Sequence, residues 1–441
     1  MNLETIKSFI LVFLIFLSLM LTLAIWNYQP SYDNATNERS PIDATIEDGI
    51  EETKKSIIKP SQIVFHEAGN HYGLAQVNKE EDLYAVMQEW SLYDFEPISE
   101  EEDETTSENE VEVMFPTEIP AELIRDIFTV GEDEIISGRV FDRMKIILDE
   151  NQTDSQLIFI QSRSNTKFSA NIQNIAEVRQ DFVDYKDNNE LVDLLVFEGN
   201  NPIYLPDQME TNRISFTAKS ISKPTLRNIL WNNPSSVRSS EIVNGEEKFT
   251  DGQSEMVVYG NYMEYINPTS SENRIIEGRQ LVNQTLEFVN DHKGWTTDVK
   301  DDYVLHDLNV QSKTAKYRLT YDGIPIFESD RLSTISVTLR NQSVYQYNRP
   351  LIQLGIILEG QKVDDLQSGQ QVIAYLERSK KYERRFIEEI KLGYEIEESG
   401  IQYAFTLSPK WFIKINNSWE QLDFEDAEIS MGGGNNAMGS S

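Results

Sequence analysis

The spacing of apolar positions changes character along the chain, and each change predicts a different element. From Phe9 to Trp26, "FILVFLIFLSLMLTLAIW", no charge interrupts the run. A helix of about 20 such residues crosses a hydrocarbon core of about 30 Å, so a single N-terminal transmembrane helix is predicted over residues 9–28, with Trp26 and Tyr28 at the interface where amphipathic rings settle. The run outlasts the apolar core of a cleavable signal peptide, about 7–15 residues. "TLA" at Thr22 to Ala24 is a weak cleavage match, and an uncleaved anchor is the expectation. Lys7 precedes the span and the first basic residue beyond it is Arg39, which by the positive-inside bias places residues 1–8 in the cytoplasm and the bulk of the chain outside the cell.

After the span, residues 29–58 are polar without a sustained apolar period and read as a linker. From residue 59 to 200, short strand-like runs ("SQIVF", "VEVMF", "RMKIIL", "SQLIFIQ") mix with helix-like ones ("EEDLYAVMQEW", "PAELIRDIF"). This predicts an N-terminal α+β domain carrying an acidic loop at 99–110. A middle domain over 201–273 reads as a helix, "KPTLRNILWNNP", followed by a meander whose turns fall at Asn244-Gly245, Asp251-Gly252 and Gly260-Asn261. Such pairs accept the positive φ that tight hairpins need.

The same order recurs over 274–428. Ile275, Val282, Leu286 and Val289 share a helical spacing that Gly294 stops, and strands follow with Ile335, Val337 and Leu339 alternating about a turn at Asp322-Gly323. A third amphipathic helix carries Leu366, Ile373 and Leu376. It precedes strands that alternate through Ile390, Leu392, Tyr394 and Ile396, then Tyr403, Phe405 and Leu407, then Trp411, Ile413 and Ile415. One apolar face at period two means a half-buried sheet, with the preceding helix as its cover. Residues 429–441, "MGGGNNAMGSS" at their end, read as a flexible tail. The fold class is therefore α+β: one span, then a multidomain ectodomain in which helix-plus-antiparallel-sheet units repeat in its middle and C-terminal parts.

Charge narrows the functions this surface can serve. The formal net charge is −35, and residues 31–120 hold 23 acidic residues against 5 basic ones. Nucleic acid and anionic lipid would both be repelled, so nucleic-acid binding is excluded. The chain has no cysteine, which removes thiol chemistry, disulfides and a lipoprotein anchor, and leaves the ectodomain to rely on core burial.

Motifs for catalysis are sparse. "HEAGNH" places His66, Glu67 and His71 near one another, but a zinc protease helix needs its histidines four apart and these are five apart, across a Gly69-Asn70 pair that reads as a hairpin turn. His292 at a helix end and His306 in a strand read as capping or surface residues. S-x-x-K occurs at Ser56/Lys59, Ser164/Lys167 and Ser220/Lys223 without the S-D-N and K-T-G partners of an acyl-serine enzyme. Carboxylate pairs for sugar hydrolysis stay open, because 74 acidic residues make close pairs inevitable. No catalytic residue, metal ligand or cofactor is assigned. Within the span, Ser18 and Thr22 form a small-xxx-small pair that lets helices approach, and Phe13, Phe16 and Met20 share a stripe with Phe9. These are candidate contacts with a partner helix, and lipid-facing or backbone-bonded roles read equally well.

The opening "MNLETIKSFILVFLIFLSLMLTLAIWNYQPSYD", the late run "TLSPKWFIKINNSWEQL" and the three-part ectodomain resemble the YycH family of Firmicutes. The resemblance implies a non-enzymatic regulator of the WalK/WalR (YycG/YycF) system for cell-wall metabolism, held by one transmembrane helix and complexed with the sensor histidine kinase and a YycI-like protein. A membrane-tethered module that binds an extracellular cell-wall ligand is the alternative.

Overall fold

The computed structural model describes Ser18 and residues 44–424, apart from short stretches at 99–108, 137, 149–155, 200, 209–210, 243–244, 269–274, 298–299, 328–330, 342, 363–365 and 400–402. Most of the described chain is strand, with helices laid against sheets, an α+β architecture as the apolar spacing implies. Among the described residues no helix is long and apolar enough to cross a membrane, and the expected span at 9–28 lies outside them except for Ser18, which is helical and exposed.

Ten strands between Gln62 and Pro206 form the first sheet, ordered from the edge strand Pro202–Pro206 through Leu191–Glu198, Asn70–Leu74, Gln62–Glu67, Asn109–Pro120 and Val140–Ile147 to Thr129–Val130. Alternation along its strands divides the side chains. Ile63, Phe65, Val111 and Val113 join Leu83, Tyr84 and Met87 of the helix Val77–Met87, and Val178 and Phe182 of the helix Ile175–Asn188, in the main core. Val64 points the other way and packs with Leu194 and Tyr204 in a small separate cluster.

The second sheet has fourteen strands between Asn212 and Gln421. The helix-then-strands order recurs behind the helices Lys223–Leu230, Gly278–Asn290 and Gly369–Arg378. Leu281, Val282, Thr285, Leu286 and Val289 make the buried face of the middle one, and Gly294 N–H closes its end on Val289 O at 2.8 Å. Ile275, expected on that face, is 93% exposed and precedes the helix. The runs around Phe405 and Ile413 are a single strand, Ala404–Ile415, that continues through Pro409. Proline is tolerated because Ala404–Leu407 pairs with the strand Asn212–Ser220, Phe412–Ile415 pairs with Ser418–Gln421 and Trp411 O accepts from Leu422 N–H, leaving 408–410 with a strand partner on one side only. The helix Gly369–Arg378 covers the Trp411 and Ile413 face as expected, and the same cluster draws in Phe197, Ile203 and Leu205 from the first sheet. The two sheets thus share cores.

The part of residues 29–58 that the structure describes is tied down. Ile46, Ile57 and Ile58 are buried, Thr53 and Ser56 form a capping box for the turn Lys54–Ile57, and Ile46 N–H donates to His292 O at 2.9 Å. Asp126 receives both Lys54 (2.7 Å) and Arg279 (2.9 Å), pinning this strap to the first sheet's helical turn and to the second sheet's covering helix at once. Asn290 accepts from Glu52 N–H (2.9 Å) and from the fully buried Trp295 indole (2.6 Å), and donates to Glu52 O (2.8 Å). Asn290→Ala should therefore cost roughly 2 kcal/mol, since it strands a buried indole N–H and frees the strap. A lowered urea midpoint with faster amide exchange at Ile46 and Glu52 is the expected observation.

Candidate functional site

The polar faces that the two sheets turn away from their helices meet across a cleft of about 1990 Å³. Its first wall carries Gln62, Met114, Arg143, Leu194 and Tyr204; its second carries His306, Arg318, Phe327, Lys391, Lys414 and Trp419. Strand alternation makes the second wall. Tyr303, Leu305, Tyr317 and Leu319 face the core, so His306, next after Leu305, and Arg318, between Tyr317 and Leu319, face the cleft. Arg318 lies over Phe327 (4.5 Å from guanidinium carbon to ring centre), Phe327 stacks on Phe412 (4.2 Å) and meets Trp419 at a tilt (4.7 Å, 48°), and Lys414 stands 6.0 Å from the Trp419 ring. Gly393 makes room for that stack, because a Cβ there would come within 2.4 Å of the Phe327 ring.

Two buried carboxyls have opposite character, Glu80 on the cleft wall and Glu112 bonded to the wall residue Arg143. Glu80 reaches Ile63 N–H at 3.0 Å. Burial pushes its pKa up to about 8, and Lys391 with that N–H offsets burial only in part, so Glu80 is protonated at neutral pH. Lys391 itself donates to Ser61 O (2.7 Å) and lies 3.7 Å from Glu389. Burial lowers its pKa, against the pull of Glu389 and Glu80. Glu112, on the Asn109–Pro120 strand, is 2% exposed. Burial alone would raise its pKa, but the hydrogen bond to His66 (3.2 Å), the Arg143 guanidinium (2.9 Å) and Lys145 outweigh it and hold the carboxyl near 2.

"HEAGNH" folds as a hairpin, with the turn one residue earlier than expected: Ala68 and Gly69 take the positive φ angles, and Asn70 already pairs with Glu67. His66 and His71 face each other across it, Nδ1 to Nδ1 at 2.7 Å, with Tyr204 against both rings. Burial and the neighbouring His66 lower the His71 pKa. His292 is a correction to the sequence reading, which made it a capping or surface residue: it is 3% exposed, bonded to the Tyr347 hydroxyl at 3.0 Å, and burial with Arg349 holds its pKa down to about 3. His306 does lie in a strand, partly exposed, on the cleft wall.

The Ser and Lys pairs do not assemble. Ser56 caps its helical turn while Lys59 binds Glu81 and Asp302, both at 2.7 Å; Ser164 bonds Gln161 in a turn; Lys223 binds Glu247. Among the described residues no group of three or more His, Asp or Glu could hold a metal ion. Of the span residues named from the sequence, Phe13, Phe16, Met20 and Thr22 lie outside the described residues, and the acidic loop does so from 99 to 108. The buried Glu80 and the second wall, where Lys316, Arg318, Lys391 and Lys414 alternate with Asp307, Glu388, Glu389, Glu395 and Glu420, were missed in the sequence. Alternation of Lys316 and Arg318 against Tyr317 and Leu319 was the available signal.

What the described residues define is a two-sheet α+β protein with a wide, charged cleft. The profile of the YycH protein N-terminal domain matches residues 4–187 and that of the YycH protein C-terminal domain matches residues 200–428. This chain belongs to the YycH family. It is similar to the Two-component system WalR/WalK regulatory protein YycH of Bacillus subtilis (strain 168), with 21% identity over 94% of this chain and 95% of the relative. The crystal structure of YycH from Bacillus subtilis superposes with a TM-score of 0.68 at 20% identity, covering 86% of this chain and 99% of that one, which establishes the shared fold.

Proposed function

We propose that this chain is a non-enzymatic, membrane-anchored regulator of a two-component system of the WalR/WalK type. The observation that carries the reading is membership of the YycH family across both halves of the chain, together with a relative of nearly the same extent named as a regulator of that system. The uncharged run from Phe9 to Trp26 supports the anchor, and the placing of Lys7 and Arg39 supports a cytoplasmic N-terminus with the two-sheet body outside the cell. The partners are then a WalK-type sensor histidine kinase controlling cell-wall metabolism and a YycI-like protein.

Lipid tails are as apolar as leucine, so helices associate in a membrane through packing and a few polar contacts. Ser18 and Thr22, and the stripe of Phe13, Phe16 and Met20, are the contacts proposed for the span. A regulator shifts a kinase between states only by contacting those states unequally. Replacing residues 9–26 with an unrelated apolar span, with the level of the protein held constant, should abolish most of the change in kinase output that the native chain produces. Unchanged regulation would remove the helix from the mechanism. A second reading, a ligand-binding module tethered at the cell surface, draws support from the cleft.

A further inference from the structure

Two strands beside the cleft share a proton. His66 Nδ1 and His71 Nδ1 face each other at 2.7 Å across the hairpin of Gln62–Glu67 and Asn70–Leu74, a contact that is a hydrogen bond only when one nitrogen carries hydrogen and the other does not. His66 Nε2 lies 3.2 Å from Glu112, whose carboxyl, held at about 2, is ionised over the whole histidine range. Three hydrogens therefore fit on the four ring nitrogens, one on each Nε2 and one between the rings. A fourth sets N–H against N–H, so the pair accommodates one imidazolium and refuses the second. Burial and His66 lower the His71 pKa, with Lys145 adding to them and Glu112 and Glu110 opposing. Arg143 binds the other oxygen of Glu112 (2.9 Å), Lys145 binds Glu110 (2.6 Å), and Glu67 is paired with Lys186 (2.7 Å).

Tyr204 rests against both imidazoles, with ring centres 5.4 and 5.2 Å away, and its carbonyl accepts from Gln62 Nε2 at 3.2 Å. It comes from the edge strand Pro202–Pro206, which among the described residues pairs with Leu191–Glu198 alone. Ile203 and Leu205 alternate to the other side, into the cluster of Val372, Leu376 and Trp411. One short strand thus lies on the histidine pair by one face and on the second sheet's covering helix by the other, and Tyr204 itself lines the cleft.

We propose that His66 and His71 form a proton-sensitive clasp: when both rings are protonated they part, Tyr204 is released, and the strand Pro202–Pro206 loosens between the cleft and the helix Gly369–Arg378. In the closed fold His71 takes its proton less readily than in an opened hairpin. Opening is therefore favoured as pH falls below the ordinary histidine value of about 6.5 and disfavoured above it. The clasp needs no kinase, so it can hold or fail independently of the regulatory reading.

The test is hydrogen–deuterium exchange of the full chain in detergent, read by mass spectrometry and corrected for the intrinsic pH dependence of exchange. Between about pH 7 and about pH 5, protection of the amides of Ile203, Tyr204 and Leu205 should fall about fivefold or more, while the strand Gln156–Gln161 inside the first sheet stays protected. His71→Gln and, as a second variant, His66→Gln each remove one titrating ring and should confine that fall to about twofold. A merely structural role would instead lower protection equally at both pH values. The proposal is overturned if the native fall is less than about fivefold, if Gln156–Gln161 loses protection in step with the edge strand, or if both variants follow the native pH course.

Discussion

Glu112→Ala should lower the unfolding free energy by about 3–5 kcal/mol, the range found when one member of a buried charge pair is removed. The carboxylate is the shared acceptor for Arg143 and for His66 Nε2, and His66 in turn faces His71. Its loss leaves a guanidinium with 15% of its side chain exposed, and an imidazole with 10%, without that acceptor. The cost comes from stranding these groups, so it should shrink when both partners are replaced together. A Glu112→Leu, Arg143→Met double variant should recover most of the loss. Urea unfolding checks this through the midpoint at unchanged m-value. A single-variant loss below about 1 kcal/mol would mean that the pair is solvated.

The second large effect is a pH dependence set by Glu80. Its pKa is about 8 folded, against 4.5 for a free glutamate carboxyl. Between these values the folded chain holds a proton that the unfolded chain has released. Stability is therefore fully present below about 4.5 and is lost as pH rises through about 8, at close to 1.4 kcal/mol per unit. His292 acts in another window. Its folded pKa of about 3 lies below 6.5, so the unfolded chain binds the extra proton and stability falls as pH drops from 6.5 toward 3. Glu80→Gln keeps an acceptor for Ile63 N–H and removes the titration. The difference between native and variant stability should thus slope by about 1.4 kcal/mol per unit between pH 5 and 8. Parallel curves would show Glu80 ionised in the fold.

Local pattern carried much of the fold. The helix from Gly278 to Asn290 follows from the spacing of Val282, Leu286 and Val289 and from Gly294, and the strands at Ile335 and Ile390 follow from alternation. What stayed hidden depends on partners distant in sequence. Pro409 looks like a strand breaker until its one-sided pairing is known. Glu80, in the first turn of a helix, looks solvated until Ile63 and Lys391 close over it. The residues around Ile46 and Glu52 read as linker because their partners, His292 and Asn290, lie some 240 positions away. The site was less legible than the fold, since its cleft joins strands from opposite halves of the chain and no short motif records that meeting.

The central claim, that this chain biases a WalK-type kinase across the membrane, is tested most directly by kinase autophosphorylation in reconstituted vesicles. The purified kinase would be incorporated alone, with the full chain, and with the full chain plus a YycI-like protein, and phosphate incorporation from ATP followed over time. The account predicts a changed rate when the chain is present, and a larger change with the third component. Superimposable time courses in all three preparations would contradict it.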